Sequence, residues 1–182
     1  MRLFIAISLP QEIKNELTNN SLLLKKHSND GRFPWPENYH LTLAFLGEVE
    51  IASLDLLKKI MKEFATTEPF TLKLSTISFF KRGNDGVLFN RLLDNSNALN
   101  TLQKRLTEIL KSNSFRVDYR SFKPHITLGR KVLLKPEIHL NFINNQIEYL
   151  SFKVQGITLF SSERINNKLH YEAIYHQKFI VL

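Results

Sequence analysis

Two tetrapeptides in this chain have a histidine, then a threonine two residues on, with apolar residues in the other two places: His40-Leu41-Thr42-Leu43 and His125-Ile126-Thr127-Leu128. Imidazole has an unperturbed pKa near 6.5, so a neutral ring can take a proton from water while a charged one gives a proton to a departing alkoxide. A pair performs what one ring cannot. On a strand, side chains at i and i+2 share a face, so each histidine stands beside its threonine while the apolar residues point the other way. Two such strands facing each other would offer two imidazoles and two hydroxyls to one small tetrahedral ligand such as a phosphate, the hydroxyls donating to nonbridging oxygens.

A single copy of this pattern reads as an ordinary amphipathic strand with a surface or satisfied core histidine, since short motifs match by accident. Two copies reverse that reading. With 10 threonines and 29 leucines among 182 residues, two of the six histidines acquire both partners roughly once in a thousand shuffles. Arg130 adds a bidentate cation five residues after His125, an odd offset that points away from it on a regular strand, so only a bulge or bend near Gly129 brings it inward. His27, His139, His170 and His176 have no threonine at the same spacing and read as surface or structural.

The elements that must carry these residues follow from periodicity. Leu3 to Leu9 is a buried strand. Pro10 opens a helix that runs to about His27, with Ile13, Leu17 and Leu24 on one face, and Asn29-Asp30-Gly31 breaks it. Tyr39 to Leu46 is a strand ending at Gly47, followed by a helix with Leu54, Leu57, Ile60, Met61 and Phe64 on one stripe behind a Ser53 cap. Phe70 to Phe80 and the segment from Val87 form a hairpin about the turn Lys81 to Gly86. Leu99, Leu102, Leu106, Ile109 and Leu110 mark another helix, Phe122 to Leu128 another strand, and Gln146 to Phe160 with Leu169 to Ile174 a last hairpin about Asn166-Asn167. Hairpins interrupting the strand and helix alternation favour an α+β class with antiparallel sheets over a doubly wound parallel sheet. The only candidate seam is the polar stretch from Asp94 to Asn97.

Composition narrows the chemistry. The chain is 43% hydrophobic and 23% charged, enough for a real core in one domain or two small fused lobes. It has no cysteine, which excludes disulfides, thiolate metal sites and cysteine nucleophiles and suits a reducing compartment. The formal charge of +8 favours a polyanionic partner, although the excess is dispersed along the chain. No apolar run approaches the roughly 20 residues that span a bilayer, and the first one has neither the flanks nor the cleavage pattern of a signal peptide. A soluble, cytoplasmic protein is expected. No His-x-His, His-x-x-x-His or carboxylate-rich cluster suggests a metal.

On these residues the chain resembles the 2H phosphoesterase superfamily, and within it the RNA 2′,3′-cyclic phosphodiesterases also called 2′-5′ RNA ligases. Arg2 to Ile7 resembles that family's first strand, Trp35 to Gly47 its first motif, and Phe122 to Arg130 its second. The resemblance spans nearly the whole chain. It implies a single domain, residues 1 to 182, of two intertwined, pseudo-symmetric lobes, each with an antiparallel sheet and helices on its outer face, around a cleft. It also implies roles: His40 as proton donor to the leaving O3′, His125 as the acceptor that activates water, and Thr42, Thr127 and Arg130 as substrate ligands. The implied reaction opens an RNA 2′,3′-cyclic phosphate end to a 2′-phosphomonoester, with no cofactor, no metal and no membrane, by a monomer. Phe79-Phe80 and the loop at Lys81-Arg82 loosely resemble the family's base-contacting region. Two alternatives remain: joining such an end to a 5′-hydroxyl RNA through a 2′-5′ bond at the same site, and a noncatalytic RNA-binding module, which has no need for two titratable rings beside two hydroxyls.

Overall fold

The computed structural model describes residues 1–117, 121–166 and 168–180. Nine strands form two antiparallel sheets among these residues. One sheet has the order β3-β1-β8-β9, from His40–Glu48 (β3), Arg2–Ser8 (β1), Gly156–Ile165 (β8) and Lys168–Lys178 (β9). The other has the order β2-β6-β5-β4-β7, from Ser28–Arg32 (β2), His125–Leu134 (β6), Asp85–Leu93 (β5), Phe70–Arg82 (β4) and Ser151–Val154 (β7). Helices α1 (Gln11–Lys26), α2 (Leu54–Lys62), α3 (Ala98–Ser112) and α4 (Leu140–Asn144) complete an α+β fold. One continuous core joins the sheets and helices, including Leu41, Leu43, Ile126 and Leu128 from the two motifs.

Burial sets the register of both motif strands. Leu41, Leu43, Ile126 and Leu128 are at most 3% exposed, and burying such a side chain contributes about 1.5–3 kcal/mol. A slip by one residue would turn these four toward water and both histidines into the core. The expected faces of α1 (Ile13, Leu17, Leu24) and α3 (Leu99, Leu102, Leu106, Leu110) are buried, with Ile109 packed at the margin.

Several local expectations are corrected. Asn29-Asp30-Gly31 lies inside the edge strand β2, held by pairing with β6, although its residue types favour a turn. The β4–β5 hairpin turns at Gly83-Asn84 alone, because Lys81 to Arg82 and Asp85 to Gly86 are already paired. Ser53 begins α2 without a side-chain capping bond. At Asp94 to Asn97 the Asp94 carboxylate accepts from the Ser96 and Leu99 amides, closing the start of α3. The segment expected as one strand from Gln146 to Phe160 divides into β7 and β8, which belong to different sheets, and α4 precedes it. Both motif strands begin at the histidine itself; Phe122 to Pro124 stay outside β6, where the proline lacks the ladder donor. Of the final turn, Asn166 has the left-handed φ of 51°, and Asn167 lies outside the described residues.

The two halves repeat one another locally. Burial alternates identically over His40 to Phe45 and His125 to Arg130, with the histidine and threonine half-buried, three apolar or small residues buried and the sixth residue exposed. Each strand carries a bulge at the same place: Leu43 has no partner between the pairs Ala6–Thr42 and Ile5–Ala44, nor Leu128 between Phe89–Thr127 and Leu88–Gly129. A bulged residue's backbone is left unpaired by the ladder. Here each bulged carbonyl is satisfied from a helix. The Ser21 hydroxyl on α1 donates to the Leu128 carbonyl at 3.2 Å, and the Gln103 amide on α3 donates to the Leu43 carbonyl at 3.2 Å. Each helix thus serves the motif strand of the other half.

Candidate active site

Strands β3 and β6 come within 8 Å of one another between Cα atoms, and this approach brings the two motifs to one cleft. The two imidazoles are held in the same way. His40 Nδ1 is 2.7 Å from the Asn38 carbonyl, and His125 Nδ1 is 2.7 Å from the Lys123 carbonyl. A carbonyl only accepts, so both rings carry a proton on Nδ1 and leave Nε2 as the nitrogen turned away from the backbone. His40 Nε2 lies 3.0 Å from Thr42 Oγ1. Asn38 is itself fixed, its amide donating to the Leu169 carbonyl of β9 at 2.9 Å, and Lys168 beside it lies over the Trp35 ring at 4.8 Å.

His40 is packed against Phe4 (centroids 4.8 Å apart) and stands edge-on to Tyr171 (5.2 Å). Burial, and after it the charges of Arg130, His125 and Lys14, push its pKa down to about 4 against the Asn38 bond that raises it. Arg130 and His125 therefore act on His40 across the cleft. The Leu128 bulge has the effect required of it: Arg130 Nη2 donates to Thr127 Oγ1 at 3.4 Å, on the threonine's side of the strand. Gly129 permits this bulge. A Cβ there would lie 2.7 Å from Val132 Cγ2 and 3.1 Å from the Phe33 ring; the equivalent residue of β3 is the small Ala44.

Of the two phenylalanines singled out in the sequence, Phe79 packs against the core while Phe80 is 41% exposed. Phe80 stacks on Phe89 at 4.3 Å, Phe89 meets the His125 ring at 5.5 Å, and the Lys123 ammonium lies 5.8 Å from the Phe80 centroid. His27 packs edge-on to Phe142. His176, read as surface or structural, bonds across the sheet to Thr158 at 2.8 Å, which in turn bonds to Ser8 at 2.8 Å.

Sequence reading missed Ser21, Gln103, Lys14, Arg2 and Tyr171. Only Arg2 lay within a quoted motif, and the rest reach the site from elements whose placement no local pattern reveals. Among the described residues no group of three histidine, cysteine, aspartate or glutamate side chains could hold a metal ion, and no helix is long and apolar enough to cross a membrane.

Comparison with known proteins places this geometry in a family. An RNA 2′,3′-cyclic phosphodiesterase of Methanocaldococcus jannaschii is 30% identical over 96% of this chain and 98% of its own length. One of Geobacillus stearothermophilus is 33% identical over 70% of this chain, which spans only 41% of that longer protein. The crystal structure of E. coli LigT complexed with 3′-AMP superposes with a TM-score of 0.79 at 27% identity, covering 98% of this chain and 97% of that one. Residues 10–166 match the family model of the 2′-5′ RNA ligase superfamily, and with a full-length relative at this identity the chain belongs to that superfamily.

Proposed function

We propose that this protein hydrolyses RNA 2′,3′-cyclic phosphate ends to 2′-phosphomonoesters without a metal, using His40 and His125 as acid and base. The observation that carries the reading is the matched pair of imidazoles, each anchored through Nδ1 to a backbone carbonyl and each followed two residues on, on the same half-buried strand face, by a threonine. The names of the relatives support the substrate class. His125 Nε2 takes a proton from water as its oxygen attacks phosphorus in line; the bond from phosphorus to O3′ breaks and His40 Nε2 protonates that oxygen. Thr42, Thr127 and Arg130 hold the nonbridging oxygens. Phe80, with its inner face already supported by Phe89, is the surface on which the base rests.

The low pKa of His40 bears on its role as donor. In the empty cleft the ring is neutral at neutral pH, since burial first, and then the nearby charges of Arg130 and Lys14, disfavour its protonation. A phosphate anion between the motifs offsets those cations, so the donor proton arrives with the substrate. The test is product analysis on a short RNA ending in a 2′,3′-cyclic phosphate, with and without excess chelator. Turnover to the 2′-phosphate should persist in chelator, and His40→Ala or His125→Ala should each lower it by about 10²–10⁴-fold. A 3′-phosphate product, rescue by a divalent ion, or near-normal turnover in either variant would refute this assignment.

A further inference from the structure

The cleft face of the four-stranded sheet continues past Thr42. The Leu43 bulge brings Phe45 to that face, 39% exposed, in the place that Arg130 occupies on β6. Across the ladder, Arg2 shares the face of Ala6, the partner of Thr42. The Arg2 guanidinium lies over the Phe45 ring at 5.1 Å. Each motif strand therefore has a guanidinium beyond its threonine, Arg130 from the strand itself and Arg2 from the strand beside it.

Among the described residues Arg2 has no anionic partner, and no carboxylate stands within ion-pair distance of it, not even Glu48, its partner across the ladder. Tyr171 fills the space between this end of the cleft and the histidine, its ring 5.0 Å from Phe4 and 5.2 Å from His40. Burial raises the Tyr171 pKa, and the charges of Arg130 and Arg2 both oppose that rise. Its hydroxyl has no hydrogen-bond partner among the described residues. A guanidinium resting over an aromatic ring is pre-organised for a phosphate, and a second cation beyond the threonine of the other motif strand suits a ligand with two phosphates in succession.

We propose that Arg2, laid on Phe45 and beside Tyr171, forms a second phosphate subsite that takes the internucleotide phosphodiester on the 5′ side of the nucleotide bearing the cyclic phosphate. This rests on the cyclic-phosphate reading of the cleft given above. It makes the enzyme one for chain ends rather than free cyclic nucleotides, because a mononucleotide leaves the subsite empty.

Two dinucleotides ending in a 2′,3′-cyclic phosphate test it, one with the natural phosphodiester and one with a neutral methylphosphonate link. The wild type should prefer the charged link by about tenfold or more in kcat/KM, the effect expected of one charge-assisted hydrogen bond. In Arg2→Ala, checked for folding by circular dichroism, that preference should collapse to less than about twofold, while Arg2→Lys should keep part of it. The ratio is read within each variant, so a general loss of activity does not imitate the result. A wild type indifferent to the link, or an Arg2→Ala variant that still discriminates tenfold, overturns the subsite. A wild type that opens neither dinucleotide sinks the cyclic-phosphate reading itself, and this proposal with it.

Discussion

Replacing Ser21 by alanine deletes a hydroxyl that is 6% exposed, lies far from either histidine in the chain and ties the two motifs together. Its single proton goes to the Leu128 carbonyl at 3.2 Å, so the Tyr39 hydroxyl, 2.6 Å away, donates to it. Tyr39 is 3% exposed and precedes His40, and Leu128 is the bulged residue whose carbonyl has no ladder partner. The alanine variant therefore strands two buried polar groups, each costing about 1–3 kcal/mol, for a destabilisation of about 2–6 kcal/mol. For a chain of this length that lowers Tm by roughly 5–25 °C. Tyr39→Phe removes the other end of one bond, leaving Ser21 able to serve Leu128, and should cost less. In the double variant only the carbonyl remains stranded, so the two costs should sum to about 1 kcal/mol or more above the double-variant value. Thermal and urea unfolding of the four proteins measures this cycle. Ser21→Ala within about 0.5 kcal/mol of wild type, or strict additivity, would refute the claim that this hydroxyl bridges the halves.

The His40 ring should titrate near 4 in the free protein and higher once phosphate binds, as followed by its NMR shifts; a free-state midpoint near 6.5 would contradict the burial argument. Because its folded pKa lies below the unfolded one, the stability it contributes is present above about pH 6.5 and is lost as the pH falls toward 4. Gly129→Ala puts a methyl group 2.7 Å from Val132 Cγ2 and should cost about 1–3 kcal/mol by overpacking. Adding Val132→Ala should then cost less than it does alone, and a neutral Gly129→Ala would show that the bulge has room to spare.

The alternation of histidine and threonine with buried leucine and isoleucine is a local property, and it alone placed both catalytic candidates on strands with one chemical face. Periodicity likewise located β1, α1, α2 and α3, whose apolar stripes need only some core to face. It also showed that a bulge near Gly129 was required for Arg130. What the sequence left open depends on partners distant in the chain. Ser21 and Leu128 are separated by 107 positions, and Gln103 and Leu43 by 60, so neither bulge cap has a spacing to recognise. Asn29-Asp30-Gly31 became a strand because β6 offered it an edge, overriding turn-forming residues. One apolar run became β7 and β8 because two sheets competed for it. Phe80 rather than Phe79 faces the cleft side because pairing with β5 stacks it on Phe89. Tyr171 meets His40 only because β9 closes the sheet beside β8, an arrangement that tertiary packing alone decides.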